Sequence, residues 1–397
     1  MRIGIITAHY MPEVGYQEVH LARAYARIGH QVRVFTSAAT VNLGGSVGSL
    51  SYKPGITRDT KGAYDVLRLK SLSYKSKVIP FGLKKAVYAF NPDVLVILGV
   101  AKVFPRTLLN ARFHEQFAMV SVYGDASEYL DRNTWKQKIK AWLHELGYAT
   151  IKKPLYKKAV KYGDKIILNI PETDQIFRAF LKGDALKDYE AKRVFLNLGY
   201  DPEEYYFTEE DRREWRKKLN VKEQDIVLMT STRVNRRKGL EQVIRLVSEM
   251  KQHGKQVHYV MVGFLGDAYE QELKAFIQSQ PDPSVFHCYP FLNAAEIRRL
   301  YCAADAGIWL KAAISIQEAM GTGLPVILEN KPSVNHLLKN GVNGWFYEKG
   351  GFDQKVKEVV DQLSQQPINR QDMVKLNAQT LSYDHIAQKI LDTLEID

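Results

Sequence analysis

Hydrophobic positions along this chain follow two periods, about two residues in short runs and about 3.6 in longer ones, and the runs take turns. Arg2–Thr7 is an apolar run that predicts a strand, and a loop holding Pro12 and Gly15 follows it. Leu21, Ala24 and Ile28 then recur at helical spacing, Gly29 closes that helix, and Gln31–Thr36 alternates into a second strand. The opening therefore reads as a βαβ unit. Further runs at Val94–Leu98, Phe117–Val122 and Lys165–Leu168 alternate with helical patterns, as a parallel sheet with crossover helices requires.

Between Lys182 and Lys192 the chain is charged with little hydrophobic pattern, and Asn197-Leu198-Gly199-Tyr200-Asp201-Pro202 comes next. A domain boundary is placed here, between residues 1–195 and 196–380. The second half repeats the grammar, with strands at Ile226–Thr230, Val257–Val262, Ala306–Leu310 and Pro325–Leu328. Helices are predicted through Leu240, Val243, Ile244 and Val247, near Tyr269–Ile277, at Ala294–Tyr301, and from about Ser315. No repeat at the roughly 20–50-residue periods of solenoids accompanies this, so the halves share architecture alone.

Composition narrows the class. A length of 397 residues suits two domains, and 45% hydrophobic with 25% charged residues is a globular balance. The N-terminus lacks a signal-peptide pattern, and the longest apolar run, Val94–Val100, falls far below the roughly 18 residues of a membrane span. A cytoplasmic chain with no span is expected. Cys288 and Cys302 show no CxxC spacing and no Cys/His cluster, so they read as buried small hydrophobes. A net charge of +12 favours anionic partners: nucleic acid, an anionic membrane surface, or phosphorylated substrates.

Ligands of open α/β sheets bind beyond the carboxyl ends of the strands, which directs attention to three loops. After the strand Ile226–Thr230, Arg233, Arg236, Arg237 and Lys238 crowd four cations into six residues, a setting that suits a diphosphate. A solvated basic turn would look the same. After Val257–Val262, Gly263 and Gly266 permit close backbone approach to a ligand; glycines also end strands routinely. After Ala306–Leu310 comes a small-residue loop with Ser315 as a candidate N-cap, and the amides at Ser315 and Ile316 would face a phosphate. Glu318, one turn on, could accept from a ribose diol or merely favour a helix N-terminus.

These residues resemble a GT-B glycosyltransferase of the large retaining family 4, and the likeness spans nearly the whole chain. In that family an arginine and a lysine five residues apart hold the donor diphosphate, matched here by Arg233 and Lys238. Its linker is similar to Leu198-Gly199-Tyr200-Asp201-Pro202, and its most recognisable stretch to Glu318-Ala319-Met320-Gly321-Thr322-Gly323-Leu324-Pro325-Val326-Ile327. The family's ribose-binding glutamate falls on Glu318, and its later turn on Gly341-Val342-Asn343-Gly344. The resemblance implies two Rossmann-like doubly wound domains facing across a cleft, the first on the acceptor side and the second on the donor side. It also implies that a C-terminal helix, Leu381–Leu394, returns to pack on the first domain.

Three departures change the expected site. The family's further glutamate, eight positions before Glu318 and followed by Gly-Phe-Gly, is Leu310 here. Its adjacent glycines in the N-terminal loop become Gly15 followed by Tyr16, which narrows the room beside the diphosphate. Its histidine after a central strand of the first domain is replaced within Tyr123-Gly124-Asp125, leaving His9, Tyr123 and Asp125 as acceptor-side candidates. Asp125 stands with Arg233 and Lys238 as a catalytic candidate.

No two aspartates are separated by a single residue, so a DxD metal motif is absent and no metal or cofactor is expected. Fixed cations would then stabilise the departing diphosphate. The implied reaction is retaining transfer from a UDP- or GDP-sugar to a glycan or lipid-linked acceptor, of hexosyltransferase type, in polysaccharide or glycoconjugate synthesis. Two rivals share the fold: a nucleotide-sugar epimerase, whose Gly-Thr-Arg-Pro-Glu signature is absent, and a protein that binds nucleotide or glycan without turnover.

One basic region raises a membrane partner. Trp135, Ile139, Trp142, Leu143 and Leu146 follow helical spacing among Lys136, Lys138 and Lys140, and Lys152, Lys153, Lys157, Lys158, Lys161 and Lys165 follow. An interfacial helix has this form, with each lysine worth on the order of 1 kcal/mol near an anionic leaflet. A core-packed helix with a solvated face has it too. Nucleic acid is disfavoured, since the Gly/aromatic motifs of RNA modules are missing.

Overall fold

A computed structural model describes residues 1–44, 48–59, 61–74, 77–99, 102–124, 150 and 152–395. The chain divides into two units, Met1–Leu198 with the C-terminal segment from Tyr383, and Gly199–Ser382.

In the first unit, β1 (Arg2–Ile6) and β9 (Val94–Leu98) lie side by side at the middle of an eight-stranded sheet. Every residue of β9 is buried, which is why it reads as unbroken Val/Leu/Ile and not as alternation: parallel strands are covered on both faces. β10 (Ala118–Tyr123), β11 (Lys165–Leu168) and β12 (Arg193–Phe195) extend the sheet from β9. β2 (Gln31–Ser37), β6 (Asp65–Leu69) and β5 (Gly55–Arg58) extend it from β1. All pairs are parallel except β5 with β6. The helix Gln17–Arg27 covers one face, and the C-terminal helix Tyr383–Asp392 packs on it through a Tyr383–His20 stack at 5.3 Å and an Arg27–Asp384 ion pair at 2.6 Å.

Two small hairpins, β3 (Val41–Gly44) with β4 (Gly48–Leu50) and β7 (Ser71–Tyr74) with β8 (Lys77–Pro80), occupy a region where the sequence predicts no elements. The charged stretch before the expected boundary is also ordered. Asp184–Lys192 forms a helix with a single buried residue, Tyr189, stacked on Phe177 at 4.6 Å and donating to Asp174 at 2.7 Å. One apolar contact is too little to leave a hydrophobic period.

The second unit is a six-stranded, wholly parallel sheet: β15 (Phe286–Pro290), β14 (Val257–Phe264), β13 (Ile226–Ser231), β16 (Ala306–Trp309), β17 (Val326–Glu329) and β18 (Gly344–Tyr347). Helices Leu240–Gln252 and Phe352–Gln365 bury Val243, Ile244, Val247, Val356 and Val360 on one face. Ala294–Ala303, Ser315–Gly321 and Glu209–Lys218 bury Leu300, Tyr301, Ala319, Met320 and Trp215 on the other. Asn293 and Glu296 form a full capping box at the start of Ala294–Ala303. Both sheets carry helices on two faces, the doubly wound α/β plan. Among the described residues no helix is long and apolar enough to cross a membrane. Cys302 is buried and Cys288 half-buried.

Candidate functional site

β14, β13 and β16 are neighbours in the second sheet, and the three loops singled out from the sequence leave their carboxyl ends. Val234 turns back into the core just after β13, fully buried, with its amide on the Gly263 carbonyl at 3.2 Å. Arg236–Lys238 makes one 3-10 turn, capped by Asn235, whose side chain accepts from the Arg237 amide at 3.1 Å.

The four cations of this turn then part company. Arg236 pairs with Glu272 and lies over the Tyr269 ring, 5.0 Å from its centroid, so its charge is already met. Arg233 is exposed and, among the described residues, meets no carboxylate within salt-bridge distance. Half-buried Lys238 reaches across the sheet end, its Nζ 3.4 Å from the Ala312 carbonyl on the loop after β16. Arg233 thus stands exposed just beyond β13, and Lys238 bridges from the same turn to the loop after β16.

The Gly263 loop differs from its expected use. Gly263 has φ +116°, and a Cβ there would lie 2.0 Å from the Thr232 carbonyl oxygen, so the close approach it permits is that of one strand's backbone to another. The amides of Leu265 and Gly266 donate to the carboxylate of Glu270, at 2.7 and 2.5 Å, and Glu270 is wholly buried. A carboxylate from within the fold fills the amides that a ligand would otherwise use.

Ser315 is corrected as well. It is the first helical residue and not the N-cap, which is Ile314 with no side-chain cap bond. The Ser315 hydroxyl donates to the Ser231 carbonyl at 2.6 Å and accepts from the Trp309 indole at 3.1 Å. The Ile316 amide is turned onto the Ala313 carbonyl at 3.2 Å, and its side chain is fully buried. The backbone N–H groups of this tight turn donate to carbonyls just before them, so Ile316 offers no open N–H.

Beneath these loops lies a polar network. Ser231 and Tyr301 share a hydroxyl hydrogen bond at 2.5 Å, and Trp309 donates to the Ser231 carbonyl at 2.9 Å. Burial, and then the negative Glu318 carboxylate, hold the Tyr301 phenol well above its ordinary range. Tyr205 is also raised, first by burial and then by Glu318, to which it hydrogen-bonds. A neutral phenol donating to Glu318 fixes that carboxylate in place. Ser231 stood at a visible strand end, but Tyr205, Tyr301 and Glu270 carry no local signal: only the fold brings them here.

The remaining candidates belong to the first unit. Gly15 has φ +69°, and a Cβ there would approach His20 Nε2 to 3.3 Å; Tyr16, at the N-cap of Gln17–Arg27, is exposed. Burial, then the charge of Lys102, lowers the pKa of half-buried His9. Tyr123 is core, not surface: it stacks on Tyr156 at 5.2 Å and meets Phe177 edge-on at 4.7 Å. Asp125 lies outside the described residues, as does the Trp135–Leu146 stripe. The helix Lys153–Tyr162 buries Leu155, Tyr156, Ala159 and Val160 in the first unit's core with Lys157, Lys158 and Lys161 exposed, so its apolar face has no room for lipid.

Known proteins share the fold. Residues 211–380 match the family described as Glycosyl transferases group 1. The chain is 21% identical over 372 residues to the alpha-monoglucosyldiacylglycerol synthase of Acholeplasma laidlawii, covering 91% of this chain and 87% of that one. Among solved structures it superposes on sucrose-phosphate synthase of Thermosynechococcus elongatus with a TM-score of 0.65 and 15% identity, covering 98% and 97% of the chains. It also superposes on HepE of Anabaena in complex with UDP and glucose, with a TM-score of 0.63, 17% identity and 99% of each chain covered. Residues 211–380 thus carry the likeness to the group 1 glycosyltransferases, and the chain as a whole has the GT-B fold of two Rossmann-like domains.

Proposed function

We propose that this chain is a metal-independent, retaining hexosyltransferase that moves a sugar from a UDP- or GDP-sugar to a glycan or lipid-linked acceptor. The observation that carries the reading is the placement of Arg233 and Lys238 on the turn after β13, with Lys238 spanning to Ala312 on the loop after the neighbouring β16 at 3.4 Å. In the proposed reaction the bond from the anomeric carbon to the phosphate oxygen breaks, and the acceptor oxygen bonds to that carbon on the same face. The acceptor's proton passes to the departing phosphate. Arg233 and Lys238 would offset the charge that grows on the diphosphate, and fixed charges in a partly desolvated site are worth far more than in water. Glu318, held by Tyr205, would accept from the ribose hydroxyls.

The similarity to a lipid-glycosylating enzyme and to a fold seen with UDP and glucose supports the donor and acceptor classes. The acceptor would be met at the cytoplasmic face of a membrane, in cell-surface glycan or glycolipid synthesis, with Gly15, Tyr16, His9 and Asp125 as first-unit candidates toward the substrates.

The test incubates the purified chain with UDP- and GDP-sugars, with glycan and lipid-linked acceptors, with and without EDTA. Release of nucleoside diphosphate with a product of the donor's anomeric configuration, unchanged by EDTA, is expected. A second reading, binding without turnover, is favoured by Leu310 at the position where the family has a carboxylate. Donor binding with no release in the presence of any acceptor would select it.

A further inference from the structure

The β7–β8 hairpin exposes an apolar face that the core does not claim. β7 and β8 pair antiparallel with Leu72 opposite Ile79, and the Phe81 amide donates to the Lys70 carbonyl at 2.9 Å to continue the pairing at the hairpin base. Side chains alternate along a strand, so Lys70, Leu72, Lys77, Ile79 and Phe81 share one face while Val78 points the other way and is 2% exposed. On the outward face Leu72 is 61%, Ile79 46% and Phe81 60% exposed. Single exposed hydrophobes are ordinary, but three contiguous ones on a hairpin mark a contact surface.

Charge selects the partner. From residue 66 to 92 the sequence holds no Asp or Glu, while Arg68, Lys70, Lys75, Lys77, Lys84 and Lys85 supply cations. Lys70 and Lys77 are exposed on the same face as the apolar patch, and Lys84 and Lys85 are exposed at the start of the helix Leu83–Phe90 that follows the hairpin. An apolar wedge with exposed lysines on its face and directly after it in the chain fits a surface that is hydrophobic just below an anionic layer, where lysine stems can lie along the acyl boundary with their heads among the phosphates. An acidic protein would satisfy the cations and leave the wedge exposed. The described basic helix Lys153–Tyr162, by contrast, has its apolar face packed in the core.

We propose that the β7–β8 hairpin, through Leu72, Ile79 and Phe81 with Lys70, Lys77, Lys84 and Lys85, docks this chain on an anionic lipid bilayer. It deepens the proposed use of a lipid-linked acceptor, but vesicle binding is read without turnover, so the two fail separately.

The full chain would be floated with vesicles of phosphatidylglycerol and phosphatidylcholine, and with vesicles of phosphatidylcholine alone. Binding is expected to the anionic vesicles, falling steeply with salt and dropping at least about tenfold on pure phosphatidylcholine. Leu72→Ser/Ile79→Ser/Phe81→Ser and, separately, Lys77→Ser/Lys84→Ser/Lys85→Ser should each lose about tenfold or more in vesicle affinity. Circular dichroism and UDP titration verify that each variant is folded, and the lysine variant, altering only exposed side chains, guards against a folding failure in the first. Wild-type protein that stays off anionic vesicles, or both variants binding them as wild type does, would overturn the proposal. A concentration-dependent dimer lost in the apolar variant, with vesicle binding intact, would assign the face to a second copy and overturn it equally.

Discussion

The Leu310 side chain lies against Gly239: its Cδ1 is 3.0 Å from where a Cβ on Gly239 would stand, and Gly239 holds φ +68° directly after Lys238. An apolar group thus packs on the turn that presents the lysine. Gly239→Ala meets both a left-handed backbone and this contact, so it should lose about 1–3 kcal/mol of stability in denaturant unfolding. In a Leu310→Ala background the contact is gone and only the backbone penalty, about 1 kcal/mol, should remain. Equal costs in the two backgrounds would mean that Leu310 does not press on the turn.

In the proposed reaction the same residue would stand near the sugar. Leu310→Glu places a carboxylate beside the Lys238 turn, and a polar group in place of an apolar one changes which hydroxyls can be paired. Ranking kcat/KM over a panel of UDP-sugars should give a different order for Leu310→Glu and the wild-type order for Leu310→Met. Identical rankings for both variants would remove Leu310 from donor selection.

Glu318 and Tyr205 make a pair in which a neutral phenol donates to a carboxylate. Tyr205→Phe keeps the ring and removes the donor, which should weaken UDP binding by roughly 3–10-fold in calorimetric titration. Glu318→Ala should abolish the preference for UDP over 2′-deoxy-UDP, because the hydroxyl that distinguishes them would have lost its acceptor. Retained discrimination in Glu318→Ala would place the ribose elsewhere.

Glu270 is wholly buried and holds the amides of Leu265 and Gly266. Removing it in Glu270→Ala strands two buried donors, at a cost of about 2–4 kcal/mol in denaturant unfolding. Because those amides are filled from inside, the affinity for UDP in the surviving folded protein should change by less than about threefold. A loss of tenfold or more without a loss of stability would restore the loop as a ligand contact.

A histidine pair at the other end of the second sheet predicts a pH dependence of stability. His258 Nδ1 lies 3.2 Å from His287 Nε2, and His258 Nε2 3.6 Å from Asp225. Burial, then His258, pushes His287 down to about 4. Between pH 6.5 and about 4 the unfolded chain therefore binds the proton more readily than the folded one. Stability is full above the unfolded pKa and falls as pH drops toward 4, by on the order of 2 kcal/mol. His287→Leu should flatten that part of the profile in thermal melts at pH 4.5 to 7, and an unchanged slope would contradict it.

The sequence carries the fold through its central strands, because β9 and β13 are buried on both faces and read as continuous apolar runs. It misses the helix Asp184–Lys192, whose burial rests on Tyr189 alone, and the β7–β8 hairpin, where exposed Leu72 and Ile79 break any alternation with the core. The positions of Arg233 and Lys238 beyond β13, and of Glu318 in the helix after β16, follow directly from the strands the sequence predicts. Ser315 was misjudged as a cap, since nothing in the local sequence tells that its hydroxyl turns to Ser231 and Trp309. Glu270 and Tyr205 act on loops from which only tertiary packing removes their distance.

The claim that the donor's diphosphate is held by fixed cations is tested most directly by turnover of the nucleotide sugar, measured as released nucleoside diphosphate, in Arg233→Ala and Lys238→Ala. Both variants should retain the wild-type circular dichroism spectrum and lose roughly 100–1000-fold in kcat, with Lys238→Arg recovering part of the loss. Wild-type turnover in Lys238→Ala would contradict the account.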